Sequence, residues 1–172
     1  MRYLTLVSVL ALMPAASAAK GGPENIQGDA VSCAALAGKT IAPNTVIQSA
    51  DYLAQGGTVG TTKVTAPFCR VIGVATPVAD SHIGFEVWLP PASSWNGKFR
   101  GEGSGGSAGA ISPGPMRDAL LMGYATMSTD NGHLDGRGGG YGLSWAYKHP
   151  EKMVDWAWRA LHLSTIAAKK TD

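Results

Sequence analysis

The fold is decided by residues 98–133, which read KFRGEGSGGSAGAISPGPMRDALLMGYATMSTDNGH. This stretch opens with a predicted strand that runs into the glycine-rich residues 101–109. A helix is predicted next, because Pro115 suits the first helical position and Gly123 suits the residue after the last turn. Residues 124–129 follow directly as a second strand. A strand, a glycine loop, a helix and a strand in this order predict a crossover between parallel strands, and hence an α/β sheet.

The segments before this stretch predict strands with no helix between them. Residues 69–75 are rich in branched residues, and residues 83–90 alternate apolar with other residues before a double proline. Shorter β-like runs occur at residues 46–50 and 63–66. We therefore expect antiparallel N-terminal strands first and the parallel strand–helix crossover after them.

The segment after the stretch predicts a long helix that opens at residues 149–151. Its apolar face is predicted to consist of Val154, Ala157, Trp158, Leu161, Thr165 and Ala168. Its polar face is predicted to consist of Lys152, Asp155, Arg159, His162 and Lys169. A helix with such an apolar face usually packs against a sheet, and a further strand should follow it in the chain. Residues 32–172 are therefore predicted to be the N-terminal portion of a truncated α/β domain.

Residues 1–18 predict a cleaved export signal. Arg2 supplies the positive charge, residues 3–13 supply the apolar core, and small residues suit cleavage after Ala18. The apolar run is shorter than the roughly 20 residues that span a bilayer, which disfavours a membrane anchor. Residues 19–31 then predict a disordered lead-in. We expect the mature protein to be secreted or periplasmic, with no membrane association after cleavage.

The composition excludes two broad classes of protein. A chain with 45% hydrophobic and 15% charged residues is typical of a globular protein and not of a disordered one. A formal net charge of +2 over 172 residues leaves no basic stripe, so we expect no nucleic-acid partner.

The two cysteines, Cys33 and Cys69, would meet an oxidising compartment after export, where a pair tends to form a disulfide. Two unrelated buried thiols are the alternative. Neither cysteine has a C-x2-C partner or a nearby histidine, so a zinc site is not predicted.

The glycine-rich segment admits three interpretations, of which the first is a dinucleotide site. Gly101, Gly103 and Gly106 fit G-x-G-x-x-G, and Asp130 lies where a ribose-binding carboxylate would be expected. In that fold the glycine turn must open a helix, whereas residues 112–115 intervene here. An exported protein is also an unusual setting for a nicotinamide enzyme.

The second interpretation is a nucleophile elbow, because residues 105–109 fit G-x-S-x-G with Ser107 as the nucleophile. An elbow needs a strand directly before the serine and a helix directly after it. The third interpretation is an oxyanion hole, whose glycine loop follows an early strand and presents backbone N–H groups to a developing negative charge. The position before the first crossover helix favours the third, and a plain surface loop is the remaining alternative.

The four histidines show no metal-binding pattern. His82, His133, His149 and His162 lack both the i, i+4 spacing and H-E-x-x-H, so no metal site is predicted. Asp130 and His133 follow a strand, where α/β proteins bind ligands. The sequence Asp-Asn-Gly is nevertheless typical of a turn, which favours a structural role for both residues.

Five motifs resemble, in the same order, those of the tannase and feruloyl esterase family. Residues 95–99 and 103–109 resemble its W-N-G-K-F and G-N-G-G-x-A-G, and residues 128–133 resemble its S-T-D-T-G-H. Residues 149–152 and 159–169 resemble its H-P-E-K and its R-A-x-H…T-x-x-A-K. The cysteine pair also resembles the family's N-terminal disulfide.

The resemblance implies an exported α/β-hydrolase that cleaves esters of aromatic acids, such as gallates or feruloylated sugars. It implies attack by a serine assisted by an aspartate and a histidine, and a lid domain that often carries calcium. By the family's order these parts are expected beyond Asp172, and no C-S-x-G-G-R stretch occurs in this sequence. Only the oxyanion hole carries over, onto Gly105 and Gly106. Ser107 replaces a usual aromatic residue and residues 138–140 enlarge the next loop, which leaves the substrate open.

The sequence thus favours an incomplete α/β-hydrolase sheet from a serine carboxylesterase that is inactive as this chain alone. Its partner would be a small aromatic-acid ester, and no cofactor or metal is expected in these residues. The alternative is an exported binding domain, complete at Asp172 and without catalysis.

Overall fold

The computed structural model describes residues 29–133 and 142–171. The predicted signal (residues 1–18) and the enlarged loop at residues 138–140 lie outside these residues. The predicted lead-in (residues 19–31) lies outside them as far as residue 28. Its last part is ordered, because the carboxylate of Asp29 accepts hydrogen bonds from two backbone amides and caps the first helix. No helix in the described part of the chain is long and apolar enough to cross a bilayer.

The C-terminal limit of the predicted domain, Asp172, also lies outside the described residues. The last described residue is Thr171, which ends a helix and is buried. The serine, aspartate and histidine expected beyond Asp172 therefore stay a prediction, as does the alternative of a binding domain complete at that residue.

Eight strands and four helices make up the described fold. The strands are β1 (Thr40–Ala42), β2 (Thr45–Leu53), β3 (Gly57–Val59), β4 (Thr62–Val64), β5 (Phe68–Ala75), β6 (Ile83–Leu89), β7 (Phe99–Glu102) and β8 (Ala125–Thr129). The helices are α1 (Ala30–Ala34), α2 (Pro113–Leu121), α3 (Pro150–Val154) and α4 (Ala160–Thr171). A 3-10 turn (Ser144–Ala146) precedes α3, and a π-helical segment (Asp155–Arg159) joins α3 to α4.

The main sheet has six strands in the order β1-β2-β5-β6-β8-β7. All neighbours are antiparallel except β7 and β8, which are parallel, with Phe99 opposite Ala125 and Glu102 opposite Ser128. Helix α2 makes the crossover between these two strands, while β3 and β4 form a separate hairpin. The α/β class and the order of antiparallel strands before a parallel crossover are confirmed.

The two faces of the sheet are covered by different helices, because side chains alternate along each strand. On β6, Val87 and Leu89 share a buried cluster with Ala167 and Ala168 of α4. Trp88, between them in sequence, belongs to a second cluster with Met116 and Leu120 of α2. The sheet is therefore the central layer, with α2 on one face and α4 on the other.

The predicted faces of the long helix are wrong at its centre. Trp158 and Leu161 are 56% and 53% exposed, whereas Asp155 is completely buried. The reason is the π-helical segment, in which the amide of Ala160 donates to the carbonyl of Asp155, five residues earlier. An extra residue in that turn rotates the following residues relative to a 3.6-residue period. A prediction based on that period therefore placed exposed residues on the buried face and a buried residue on the exposed face.

Helix α2 begins at Pro113, two residues before the predicted first position at Pro115, and its C-terminal stop is Gly123 as predicted. Gly123 has a φ of +81°, and a Cβ there would lie 2.6 Å from the carbonyl oxygen of Ser94. Glycine is therefore required both by the backbone and by the neighbouring turn.

The predicted disulfide between Cys33 and Cys69 is present and joins α1 to β5. Both cysteines are buried in the main core cluster. The bridge closes a segment with a sequence separation of 36, which in the chain-entropy picture stabilises the fold by about 3–4 kcal/mol.

Candidate active site

Three loops meet at one edge of the sheet. Because β7 and β8 are parallel, residues 103–112 and 130–133 both leave from the carboxyl edge. Strand β6 is antiparallel to β8 with Phe85 opposite Thr129, so residues 76–82 between β5 and β6 reach the same edge. Ligands of open α/β sheets bind outside the carboxyl ends of the strands.

The glycine loop, residues 103–112, presents its tip to solvent. Gly105 and Gly106 are exposed, and a Cβ built on either would meet nothing within 4 Å. The tip is a turn in which the amide of Ala108 donates to the carbonyl of Gly105 over 3.3 Å, and Gly106 has a φ of +60°. Within the described residues, the amides of Gly105 and Gly106 donate no hydrogen bond. Two backbone donors are therefore available to a ligand at this edge.

The loop does not have the geometry of the two other motifs. Residues 103–112 separate β7 from α2, so the glycine run does not open a helix as a dinucleotide site requires. Ser107 lies in the middle of the loop, not between a strand end and a helix start, as an elbow requires. These positions favour the oxyanion-hole interpretation over both.

The side-chain amide of Asn131 connects both ends of the glycine tip. Its Nδ2 donates to Ser104 Oγ over 2.9 Å and to the carbonyl of Ala108 over 3.0 Å. Ser104 Oγ itself donates to the carbonyl of Ala108 over 3.0 Å. The sequence indicated a turn at Asn131 but gave no sign of these contacts, which depend on how two loops meet in space.

His133 is buried in the turn after β8. Its Nε2 lies 2.8 Å from the carbonyl oxygen of Ser107 and its Nδ1 lies 3.2 Å from the carbonyl oxygen of Asn131. The imidazole stacks on Trp145 with ring centroids 3.7 Å apart and is 4% exposed. A Cβ on Gly109 would lie 1.7 Å from the carbonyl oxygen of His133. The favoured structural role of His133 is consistent with these contacts.

Asp130 is the second buried residue of this turn. Its Oδ1 accepts hydrogen bonds from the amides of Gly84 over 2.9 Å and Gly132 over 2.8 Å. Burial raises the pKa of the Asp130 carboxyl above its ordinary value of 3.8, although the two amides act in the opposite direction. Asp130 thus closes the turn onto β6 and is not placed as a ribose-binding carboxylate.

We expect Asp130→Asn to be tolerated and Asp130→Ala to lose about 2 kcal/mol of unfolding free energy, because only alanine leaves two amides without an acceptor. The raised folded pKa means that this carboxyl's contribution to stability is full below about pH 3.8 and is lost as the pH rises through the folded pKa. Urea unfolding at several pH values between about 3.5 and 7 should show that Asp130→Asn lacks this acid-favoured contribution. A stable Asp130→Ala variant would contradict the structural role.

A buried ionic network lies beside the turn, under α3. Asp155 accepts from Arg159 Nε over 2.5 Å and from Ser81 Oγ, and Arg159 Nη2 also pairs with Glu151 over 2.8 Å. Gly132 packs against the same aspartate, because a Cβ there would lie 2.6 Å from Asp155 Cβ. The four-residue spacing of Asp155 and Arg159 was visible in the sequence, but its burial was not, since the π-helical turn has no simple sequence signature.

His149, predicted to start the helix, is the N-cap residue of α3. Its Nδ1 lies 2.9 Å from Asp80 Oδ1, which ties the helix start to the connection between β5 and β6. A broad depression of about 650 Å³ is lined by this connection and by Lys152.

In residues 29–133 and 142–171, no group of three or more His, Cys, Asp or Glu side chains is arranged to bind a metal ion.

Comparison with known proteins identifies similar esterases. A family model described as tannase and feruloyl esterase matches residues 69–171. The chain is 38% identical over 161 residues to an uncharacterized esterase of Xanthomonas campestris pv. campestris, covering 91% of this chain and 25% of that protein. It is 39% identical over 114 residues to a probable feruloyl esterase B-1 of Aspergillus fumigatus, covering 66% of this chain and 20% of that protein.

Solved structures show the same similarity. Feruloyl esterase B from Aspergillus oryzae superposes with a TM-score of 0.71 at 29% identity, covering 82% of this chain and 28% of that one. Another esterase from Aspergillus oryzae gives a TM-score of 0.70 at 26% identity, covering 81% and 28%. The chain spans about a quarter of the length of these relatives. With a family model matched over more than half of its residues, the chain belongs to the tannase and feruloyl esterase family.

Proposed function

We propose that this chain is the exported N-terminal portion of a serine carboxylesterase that hydrolyses esters of aromatic acids. Its family and the names of its relatives, which include feruloyl esterases, support this class of substrate. The disulfide supports export to the periplasm or the medium, because disulfides persist in oxidising compartments. Since the chain spans about a quarter of its relatives, the serine, aspartate and histidine are proposed to lie in polypeptide beyond Asp172.

The observation that carries the proposal is the exposed pair of amides at Gly105 and Gly106. They lie on the loop between a strand and the first crossover helix, at the carboxyl edge of the sheet. In α/β-hydrolases a loop in this position supplies one of the donors that bind the oxyanion, and the residue after the nucleophile supplies the other.

The role proposed for these amides is electrostatic. When the serine adds to the ester carbonyl, its oxygen gains negative charge, and preorganised N–H groups stabilise that charge more than they stabilise the neutral carbonyl. Glycine at both positions lets the oxygen approach the backbone without obstruction by a side chain.

Gly105→Val should reduce kcat/KM for methyl ferulate or methyl gallate by about 100-fold, because the valine side chain would obstruct the approach of the carbonyl oxygen to the backbone amide and so have the effect of losing one oxyanion donor. The valine side chain would occupy open space over the tip, so the thermal unfolding temperature should not change. Gly103→Val is the matched control, because that position is equally open and lies outside the tip. Both variants are made in the protein expressed from its complete reading frame, and equal activity of the two would contradict the proposal.

Ser107→Ala separates the oxyanion hole from the nucleophile elbow. The proposal expects this variant to keep the activity of the complete protein, and the 172-residue chain alone to show no ester turnover. Turnover by the chain alone that disappears in Ser107→Ala would make Ser107 the nucleophile and refute the assignment.

A further inference from the structure

Asn131 makes two contacts that bracket the proposed oxyanion donors. Its Nδ2 reaches Ser104 before the tip and Ala108 after it, over 2.9 and 3.0 Å. Gly105 and Gly106 lie between these two attachment points. Within the tip, the amide of Ala108 donates to the carbonyl of Gly105 over 3.3 Å and the carbonyl oxygen of Ser107 lies 2.8 Å from His133 Nε2, while a Cβ on either exposed glycine would meet nothing within 4 Å. The orientation of the two amides therefore depends on the base of the loop.

The type of residue at position 131 matters for two reasons. Its φ of +57° suits asparagine, aspartate and glycine, and strains branched residues. Its two partners are the hydroxyl oxygen of Ser104 and the carbonyl oxygen of Ala108, and the carbonyl oxygen can only accept a hydrogen bond. An amide supplies two N–H donors from one nitrogen, whereas a carboxylate of the same shape would place a negative oxygen against the Ala108 carbonyl.

The backbone of Asn131 is itself fixed. The residues on either side, Asp130 and Gly132, are linked by the hydrogen bond from the Gly132 amide to Asp130 Oδ1. The backbone N–H of Asn131 donates to Thr129 Oγ1, at the end of β8, over 3.3 Å. The side-chain amide thus extends from the turn after β8 to both sides of the glycine tip.

We propose that Asn131 is a positioning residue that sets the orientation of the Gly105 and Gly106 amides toward the reacting carbonyl. It acts through the loop and does not touch the substrate. This inference rests on the proposed function for its catalytic consequence, although the contact between Asn131 and the loop can be tested without any reaction.

The test compares Asn131→Gly and Asn131→Asp in the protein expressed from its complete reading frame. Glycine keeps the left-handed backbone and removes the amide, while aspartate keeps the shape and removes the donor. Asn44→Gly and Asn44→Asp are matched controls, since Asn44 has a φ of +52° and is exposed on the turn between β1 and β2. Selective ¹⁵N-glycine labelling reports the order parameters of Gly105 and Gly106 directly.

We expect the order parameters of both glycines to fall from about 0.85 to below about 0.6 in the Asn131 variants and to remain high in the controls. With methyl ferulate, kcat should fall by about 100-fold and KM should change by less than about twofold, because misplaced donors affect the transition state more than binding. Ser104→Ala, which removes one of the two acceptors, should give an intermediate decrease in kcat.

Two results would overturn parts of this account separately. Unchanged order parameters in both Asn131 variants would refute the positioning role. Lowered order parameters with an unchanged kcat would leave the positioning contact in place and refute the oxyanion role of Gly105 and Gly106.

Discussion

Gly109→Ala is expected to lower the free energy of unfolding by about 4 kcal/mol, a loss reserved for severe core or backbone conflicts. The added Cβ would lie 1.7 Å from the carbonyl oxygen of His133 and 2.7 Å from its Cδ2. A flexible side chain could move aside, but the first of these atoms belongs to the backbone of a buried turn. The glycine loop and the turn after β8 would have to separate.

Gly103→Ala is the control for that substitution, and equilibrium urea unfolding is the measurement. A Cβ at this position meets nothing within 4 Å, and no positive φ is required there. The control should stay within about 1 kcal/mol of the parent protein, with a small gain from the reduced entropy of the unfolded chain. A Gly109→Ala variant as stable as this control would show that the two loops are not in contact.

Asp155→Ala is expected to cost about 3–5 kcal/mol, the range for breaking a buried ion pair by removing one partner. Asp155 is completely buried, and the Arg159 side chain is 13% exposed. Without the aspartate, Arg159 would keep only Glu151 as an acidic partner among the described residues, and the Ser81 hydroxyl would lose its acceptor. The effect should appear as a lower urea midpoint with an unchanged m-value.

Two further variants show whether the cause is the unpaired charge. Asp118→Ala removes an exposed carboxylate that also pairs with an arginine, Arg117, and should change stability by less than about 0.5 kcal/mol. Adding Arg159→Met to Asp155→Ala should restore part of the loss, because the buried cation is then absent. A double variant no more stable than the single one would rule out this explanation.

Strands β5 to β8 were predictable because their signals are local, whereas the three-residue strands β1 and β3 were not predicted. The branched residues of β5 and the alternating residues of β6 favour strands, and the glycine segment with its following proline and glycine favours the crossover of β7, α2 and β8. The disulfide followed from having only two cysteines in a chain with a predicted export signal. The family resemblance was carried by short motifs in the right order, and the family is confirmed.

The parts that were missed depend on geometry between distant segments. A 3.6-residue period put Asp155 and Trp158 on the wrong sides of the helix, because the π-helical segment in which both lie departs from that period. Asp-Asn-Gly indicated a turn correctly, yet nothing local shows that the amide of Asn131 reaches Ser104, 27 residues earlier. The assignment of Gly105 and Gly106 to an oxyanion hole stays a prediction until it is measured.

The close contacts of Gly109 and Gly132 have a consequence for protein engineering. The space that a Cβ would need is occupied at Gly109 by the backbone of His133 and at Gly132 by the side chain of Asp155. Saturation libraries directed at the loop should therefore yield functional clones that retain glycine at these two positions. Position 103, where a Cβ would meet nothing within 4 Å, should instead accept larger side chains without disturbing the scaffold.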